Sequence, residues 1–387
     1  MKHILRAGIM GVAISLVLTA CGSVTPTPAA TSSLPRLLTT DVPSSGSSPN
    51  ATGTPNAALA PIDVHVGTGF GNDWFQMYFT DPFNPASSQF SGGPDGPLVA
   101  AIDAARLSVD AAMYSLTLNS VRNALIRAHR RGLNVRVVME SDNLDDEDPQ
   151  ALMQAGIPLL GDRQEGLMHD KFIVIDGSEV WTGSMNFTDS GAYSDNNSLV
   201  HIRSGQVAAN YEAEFNQMFV SDLFGPAKQA VTPDRQITIE GTTLSLYFSP
   251  EDHVQDALVQ LLGAAKTSIY FLAFSFTADP LGEAIRERAA AGVKVAGVMD
   301  SDQVASNLGT EYDAFRVDGL AVRLDGNRGQ MHEKLMIIDG ETVVVGSYNF
   351  SQSADKANDE NLVVIHDLQI AAQCTLEFVR VFDQAGR

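Results

Sequence analysis

From His169 to Phe219 the chain aligns without a gap on His332 to Phe382, at a constant offset of 163. A second register, offset by 160, places Met113-Tyr114-Ser115-Leu116-Thr117 on Ala273-Phe274-Ser275-Phe276-Thr277 and Glu140-Ser141-Asp142 on Asp300-Ser301-Asp302. Self-similarity on this scale is one domain used twice, so any fold must be built from two similar halves. The three residues that separate the registers are expected in the loops between.

Each half alternates strands with helices. In the first, Val121, Ala124, Leu125 and Ala128 recur at helical spacing, with Ser120 as a start signal and Gly132 as a stop. In the second, Asp279 is the expected N-cap, Pro280 the first helical residue, Leu281, Ala284 and Ile285 the apolar side and Gly292 the stop. Strands are predicted over Val135 to Met139 and Val293 to Met299, and closing helices over Val207 to Phe219 and Ile370 to Phe382. Cys374 falls on the second closing helix at the position of Tyr211, which predicts a buried structural thiol. Strands linked by helices argue for an α/β class, with mixed sheets and helices packed on their faces.

The same polar constellation stands in both halves. The first is His169-Asp170-Lys171, then Asp176-Gly177, then Gly183-Ser184-Met185-Asn186; the second is His332-Glu333-Lys334, then Asp339-Gly340, then Gly346-Ser347-Tyr348-Asn349. Residues i and i+2 of a strand share a face, so each histidine is expected beside its lysine. An imidazole and an ammonium side by side can attack phosphorus or protonate a leaving oxygen while neutralising phosphate oxygens. Ser184, Asn186, Ser347 and Asn349 are candidate neutral donors to the same anion. Asp176 and Asp339 precede glycine after an apolar strand and read as organisers of a hairpin turn.

The doubled pattern HxKx4Dx6GSxN resembles the phospholipase D superfamily, and the resemblance extends from about residue 64 to the end. It implies two tandem α/β/α sandwich halves whose histidines meet at one site. The implied chemistry is phosphodiester hydrolysis or transphosphatidylation through a phosphohistidine, without metal or other cofactor. Eleven residues beyond Asn349 stands Glu360, where the family places an acidic partner for histidine, but eleven beyond Asn186 stands Asn197. A carboxylate favours the charged imidazolium. Pairing within each half therefore makes His332, with Glu360, the expected general acid, and His169, with Asn197, the expected nucleophile. Asp195 is a substitute partner for His169.

No zinc pattern competes, because His332-Glu333-Lys334 lacks a second histidine at the required spacing. The acidic run from Ser141 to Asp148 lacks the glycine and ligand spacing of a calcium loop and reads as a solvated loop. Gly67-Thr68-Gly69-Phe70-Gly71 is too far from any strand-to-helix turn to cradle phosphate. Residues 1–20 hold Lys2, Arg6 and an apolar stretch too short to span a bilayer, ending in Leu18-Thr19-Ala20-Cys21. This resembles a bacterial lipoprotein signal with lipidation at Cys21, and implies an exported, membrane-anchored protein. Residues 21–61, rich in Ser, Thr, Pro and Ala, read as a disordered tether, followed by a first domain at 62–225 and a second at 238–387. The chain has 25 basic against 46 acidic residues, a net charge of −21. That disfavours nucleic acid as partner, because binding to phosphates is driven largely by positive charge. The expectation is a monomer acting on phospholipid at a membrane surface, with a nuclease or a phosphatidyltransferase such as cardiolipin synthase as the alternatives.

Overall fold

The computed structural model describes residues 58–386; the expected signal, Cys21 and almost all of the expected tether lie outside them. Among the described residues there are two mixed sheets. The first contains β1 (Ala60–Ile62), β2 (Thr68–Gly71), β3 (Phe75–Phe79), β4 (Ser108–Met113), β5 (Asn134–Met139), β6 (Leu159–Gly161), β7 (Lys171–Ile175), β8 (Glu179–Gly183) and β9 (Ser198–Arg203), in the spatial order β1-β2-β3-β9-β8-β7-β4-β5-β6. The second contains β10 (Gln236–Ile239), β11 (Thr242–Ser249), β12 (Ser268–Ala273), β13 (Lys294–Met299), β14 (Ala321–Leu324), β15 (Lys334–Ile338), β16 (Thr342–Gly346) and β17 (Glu360–His366), in the order β10-β11-β17-β16-β15-β12-β13-β14. In each sheet the three strands β4-β5-β6 or β12-β13-β14 run parallel and the other pairs antiparallel. The α/β class and the duplication are as expected. Ala60 and Pro61 are a correction: they were expected in the tether, but pair with Gly71 and Phe70 as an edge strand.

The predicted helices form at Asn119–Arg130 and Asp279–Ala290, and both stop at glycines in the left-handed region, Gly132 at φ 90° and Gly292 at φ 94°. Their starts differ from the sequence reading. Ser120 lies inside its helix and donates to Asp95 at 2.6 Å, and Asp279 is the first helical residue rather than the cap. The reason is tertiary: the N–H groups of Thr117 and Leu118 bond the carbonyl of Phe187, and those of Thr277 and Ala278 bond that of Phe350. These bonds hold the chain extended up to residues 118 and 278, and the helix begins where they end. The three extra residues of the second half fall where a single turn at Ser141–Asn143 is replaced by a helix at Ser301–Ser306. The acidic run is also less open than expected, since Asp148 opens into the helix Glu147–Gln154 and is buried in an ion pair with Arg122.

Each half has a core on its outer sheet face, and a third core lies between the halves. Phe172 and Val174 of β7, Leu335 and Ile337 of β15 and the closing helices Gly205–Phe219 and Leu368–Gln384 all bury apolar side chains in that third cluster. Cys374 and Tyr211 are both fully buried in it, as the repeat predicted. The inner faces of the two sheets therefore remain dry only when the halves are together.

Candidate active site

The polar constellation gathers at one end of both sheets. Because β7 runs antiparallel to β4, with Lys171 opposite Met113, the histidine that precedes β7 emerges where β4 ends; β15 and β12 repeat this with Lys334 opposite Ala273. His169, Lys171, His332 and Lys334 are all buried, at 6%, 1%, 4% and 0% exposure. Each lysine donates one Nζ proton to the carbonyl of its own histidine at 2.6 Å. Each also lies over an aromatic ring, Lys171 over Tyr114 at 4.9 Å and Lys334 over Phe274 at 4.7 Å. An ammonium has three protons, so two remain on each lysine for an anion.

The histidine partners are exchanged between the halves, which corrects the expected pairing. His169 Nδ1 lies 2.8 Å from Glu360 Oε2, and His332 Nδ1 lies 2.9 Å from Asn197 Oδ1. The backbone fixes this exchange. Met168 bridges Asp359 and Met331 bridges Asn196, with the N–H of His169 bonded to the Asp359 carbonyl and that of His332 to the Asn196 carbonyl, both at 3.0 Å. Each histidine is thereby set beside the partner residue at the start of the other half's last strand. Counting along one half cannot reveal a pairing made between halves. Asp195 is likewise no partner of His169: its Oδ1 accepts the N–H of Gln330, two residues before His332.

The surrounding bonds define the tautomers. Asn197 Nδ2 donates to the Gly191 carbonyl and its Oδ1 accepts from Ser184 Oγ, so an oxygen faces His332 and Nδ1 of that ring carries the proton. Glu360 accepts from Ser347 Oγ at 2.7 Å and from Asn358 Nδ2 at 3.2 Å, so it is also an acceptor toward His169. Nε2 is the ring atom not engaged by Glu360 or Asn197, and His332 also has a hydrogen bond with the Ser184 backbone. The serines are a second correction. Each has one hydroxyl proton, and Ser184 and Ser347 give theirs to Asn197 and Glu360 while accepting the N–H of Ser198 and Asn361. They sit behind the histidine partners, fully buried, and do not donate to a phosphate. Asn186 and Asn349 are only half-buried; their Oδ1 atoms are buried without a protein partner, and the groups on these amides able to donate to a phosphate are the Nδ2 protons.

Asp176 and Asp339 occupy the hairpin turns, at φ 54° and 56°, as the Asp-Gly pairs predicted. Asp176 accepts three backbone N–H groups, from Arg106, Leu107 and Ser108, and Asp339 accepts those of Lys266, Thr267 and Ser268. These bonds outweigh partial burial and hold both carboxyls below the ordinary range. Each lies five residues along the chain from its lysine, which opens the strand, about 16 Å at 3.3 Å per residue.

Burial first, and the neighbouring lysines second, push both histidines well below their usual value. Burial lowers Lys171 to about 7 and also lowers Lys334, with the opposing lysine adding to the second. Burial raises Glu360 to about 7 against the pull of Lys171. Burial leads in each case and outweighs the attraction of the carboxylates nearby, so a bound monoanion beside the lysines would favour the charged forms. Among the described residues no group of histidine, cysteine, aspartate and glutamate is arranged to hold a metal ion. No helix there is long and apolar enough to cross a membrane.

Sequence reasoning missed several supports of the site. Glu140 and Asp300 accept the N–H groups of Met168 and Met331, and the rings of Tyr114 and Phe274 flank the histidines at 4.9 and 4.6 Å. All four lie in the segments that the repeat aligns, so the alignment already carried their signal. Lys228, between the halves, carried none. It is fully buried and contacts Glu214 and Asp359, the latter at 3.0 Å, directly beneath Glu360 in sequence.

Comparison with known proteins shows the family and the fold. A family described as "Cardiolipin synthase, PLD-like domain" matches residues 98–219 and 258–382. The mitochondrial cardiolipin hydrolase of Chlamydomonas reinhardtii is 35% identical over 209 residues, which is 48% of this chain and 92% of that protein. The phospholipase D of Rickettsia typhi is 31% identical over 150 residues, 37% of this chain and 73% of that protein. Of the cardiolipin hydrolase of Mus musculus, 32% identical over 127 residues, the chain spans 57%. The crystal structure of phosphatidylserine synthase from Haemophilus influenzae Rd KW20 superposes with a TM-score of 0.60 at 15% identity, covering 77% of this chain and 85% of that one, and shares the fold.

Proposed function

Because this chain belongs to the phospholipase D-like family, we propose that it is a metal-independent phosphodiesterase that cleaves phospholipid head groups through a covalent phosphohistidine. The supporting observation is the asymmetry between the histidines: one ring has a carboxylate behind it and the other a neutral amide. When Nε2 of His169 attacks phosphorus, the ring gains positive charge and still carries its Nδ1 proton. Glu360 stabilises that charge, as the buried carboxylate does for the histidine of a Ser-His-Asp triad. The bond from phosphorus to the head-group oxygen breaks, and His332, doubly protonated once the anionic substrate lies beside it, gives this oxygen the proton on its Nε2 while keeping the one on Nδ1. Asn197 orients the His332 ring through a neutral amide oxygen on Nδ1. His332, now neutral, takes a proton from water as the water attacks the phosphohistidine, and both rings return to their starting state. Lys171, Lys334, Asn186 and Asn349 hold the nonbridging oxygens.

Acid quench and mass spectrometry test these roles. His169→Ala should yield no phosphoryl adduct with any substrate, whereas His332→Ala should still form one on His169 from a nitrophenyl phosphodiester, whose leaving group needs no proton. An adduct on His332 reverses the roles. Phosphatidylcholine, phosphatidylglycerol, cardiolipin and single-stranded DNA, offered in parallel, separate the lipid reading from the nuclease and transferase alternatives. The chain's net charge of −21 supports lipid. The Thr-Ala-Cys-Gly context of Cys21 supports an exported lipoprotein acting beside its membrane substrate.

A further inference from the structure

Positions 195 and 197 of the first half correspond to 358 and 360 of the second. The first half holds Asp195 and Asn197, the second Asn358 and Glu360. Each half thus has one carboxylate and one carboxamide at the same two places, in opposite order. The outer residues do the same backbone work. Asp195 Oδ1 accepts the N–H of Gln330 at 2.8 Å, and Asn358 Oδ1 accepts that of Leu167 at 3.2 Å; Gln330 and Leu167 are themselves equivalent, each two residues before the histidine of the opposite half. Beyond this bond they differ. Asn358 has an amide to donate, and gives it to Glu360, whereas Asp195 brings a second oxygen and a negative charge.

Asp195 is 7% exposed and surrounded by groups of the acid side of the site. Lys334 on β15 attracts it, Asp300 at the end of β13 repels it, and Ser190 on the helix Asp189–Tyr193 bonds it. His332 follows two residues after its hydrogen-bond partner, and Lys334, Lys171 and His169 also face that ring. Burial raises the Asp195 carboxyl to about 6, against Lys334 and these bonds.

We infer that Asp195 is a positioning residue for the acid step: bonded to the N–H of Gln330, two residues before His332, it supplies the negative charge that Asn197 does not place against the ring and favours the charged forms of His332 and Lys334. The inference rests on the reading of His332 as the acid. It gives the acid side of the site a carboxylate from the first half, beside Glu360 and Glu333, which also attract Lys334.

Asp195→Asn is a close test, because Asn358 shows that an asparagine at this place keeps the backbone bond. The measurements are the His332 ring titration by nitrogen NMR and the pH profile of kcat on a phosphodiester. A neighbouring charge commonly shifts a pKa by 1–3 units, so the loss of Asp195 should lower the His332 titration and the basic limb of kcat by about one unit. Adding Asn197→Asp to that variant, which moves the charge into contact with the ring, should restore both. A purely structural role would change thermal stability and leave the titration where it was. An unmoved titration in Asp195→Asn overturns the inference. Should that variant not fold, Asn197→Asp alone must raise the titration, and failure to do so is equally fatal. If the parent cleaves no phosphodiester, the functional reading falls, while the NMR titration still decides the role of Asp195.

Discussion

Glu360→Gln separates the exchanged pairing from the one that counting along a single half suggests. The carboxylate serves three donors: His169 Nδ1 at 2.8 Å and Ser347 Oγ at 2.7 Å on Oε2, and Asn358 Nδ2 at 3.2 Å on Oε1. Glutamine has one oxygen. Placed toward His169 and Ser347, it turns its NH2 against the NH2 of Asn358, so shape is kept while one bond and the charge are lost. A hydrogen bond to a charged group is worth about 1.5–3 kcal/mol. If that is withdrawn as positive charge develops on His169, phosphoryl transfer to the enzyme should slow roughly 10- to 150-fold at 1.36 kcal/mol per tenfold. The deficit belongs to the nucleophile, so a nitrophenyl leaving group should not relieve it. In the parent, Glu360 must be ionised, and activity should fall as pH falls through about 7; this limb should vanish in the variant. Rapid-quench measurement of the phosphoenzyme burst reads both effects. Rescue of Glu360→Gln by the activated ester, to the extent seen with His332→Ala, would refute the argument by placing Glu360 on the acid.

Three further outcomes are expected. Lys228→Met should destabilise the protein by about 3–5 kcal/mol, the usual cost of breaking a buried ion pair. Its partners Glu214 and Asp359 have raised pKa values, Asp359 to about 7, so protonation relieves them and the loss in urea unfolding should be larger at pH 8 than at pH 5. Glu333 is buried and raised to about 8, so the stability it contributes is complete below its unfolded value near 4.5 and is lost as pH rises toward 8. Glu333→Gln should therefore match the parent in Tm at pH 5 and exceed it by several degrees at pH 8. Cys21→Ser should move the protein from the membrane to the soluble fraction, since stable anchoring needs more than one acyl chain; equal fractionation of the two removes the lipoprotein reading.

The repeat, the hairpin turns at Asp176 and Asp339 and the central helices were legible because each rests on local chemistry: turn residues, apolar spacing, glycine stops. The histidines and lysines were legible because two copies of one spacing leave little room for chance. What was not legible lay between the halves. The partners of His169 and His332 depend on two parallel bridges across 191 and 135 residues of sequence, and no periodicity records them. Ser184 and Ser347 were misjudged for a related reason. A strand pattern says that Ser184 and Asn186 share a face, but not how far each side chain reaches, and the shorter one stops at the residue behind the histidine. Lys228 lies outside the segments that the repeat aligns, so the repeat could not expose it.

The exchange of partners also bears on how such a site can diverge. If two identical chains met about a twofold axis, every residue opposite one histidine would stand opposite the other, and a change from carboxylate to amide would strike both rings at once. Joined in one polypeptide, positions 197 and 360 are free to change separately, and here they have become Asn and Glu. It follows that neither half can replace the other: a pair of first halves would face both rings with amides, a pair of second halves would face both with carboxylates, and only the unlike pair yields one ring suited to attack and one suited to let its proton go.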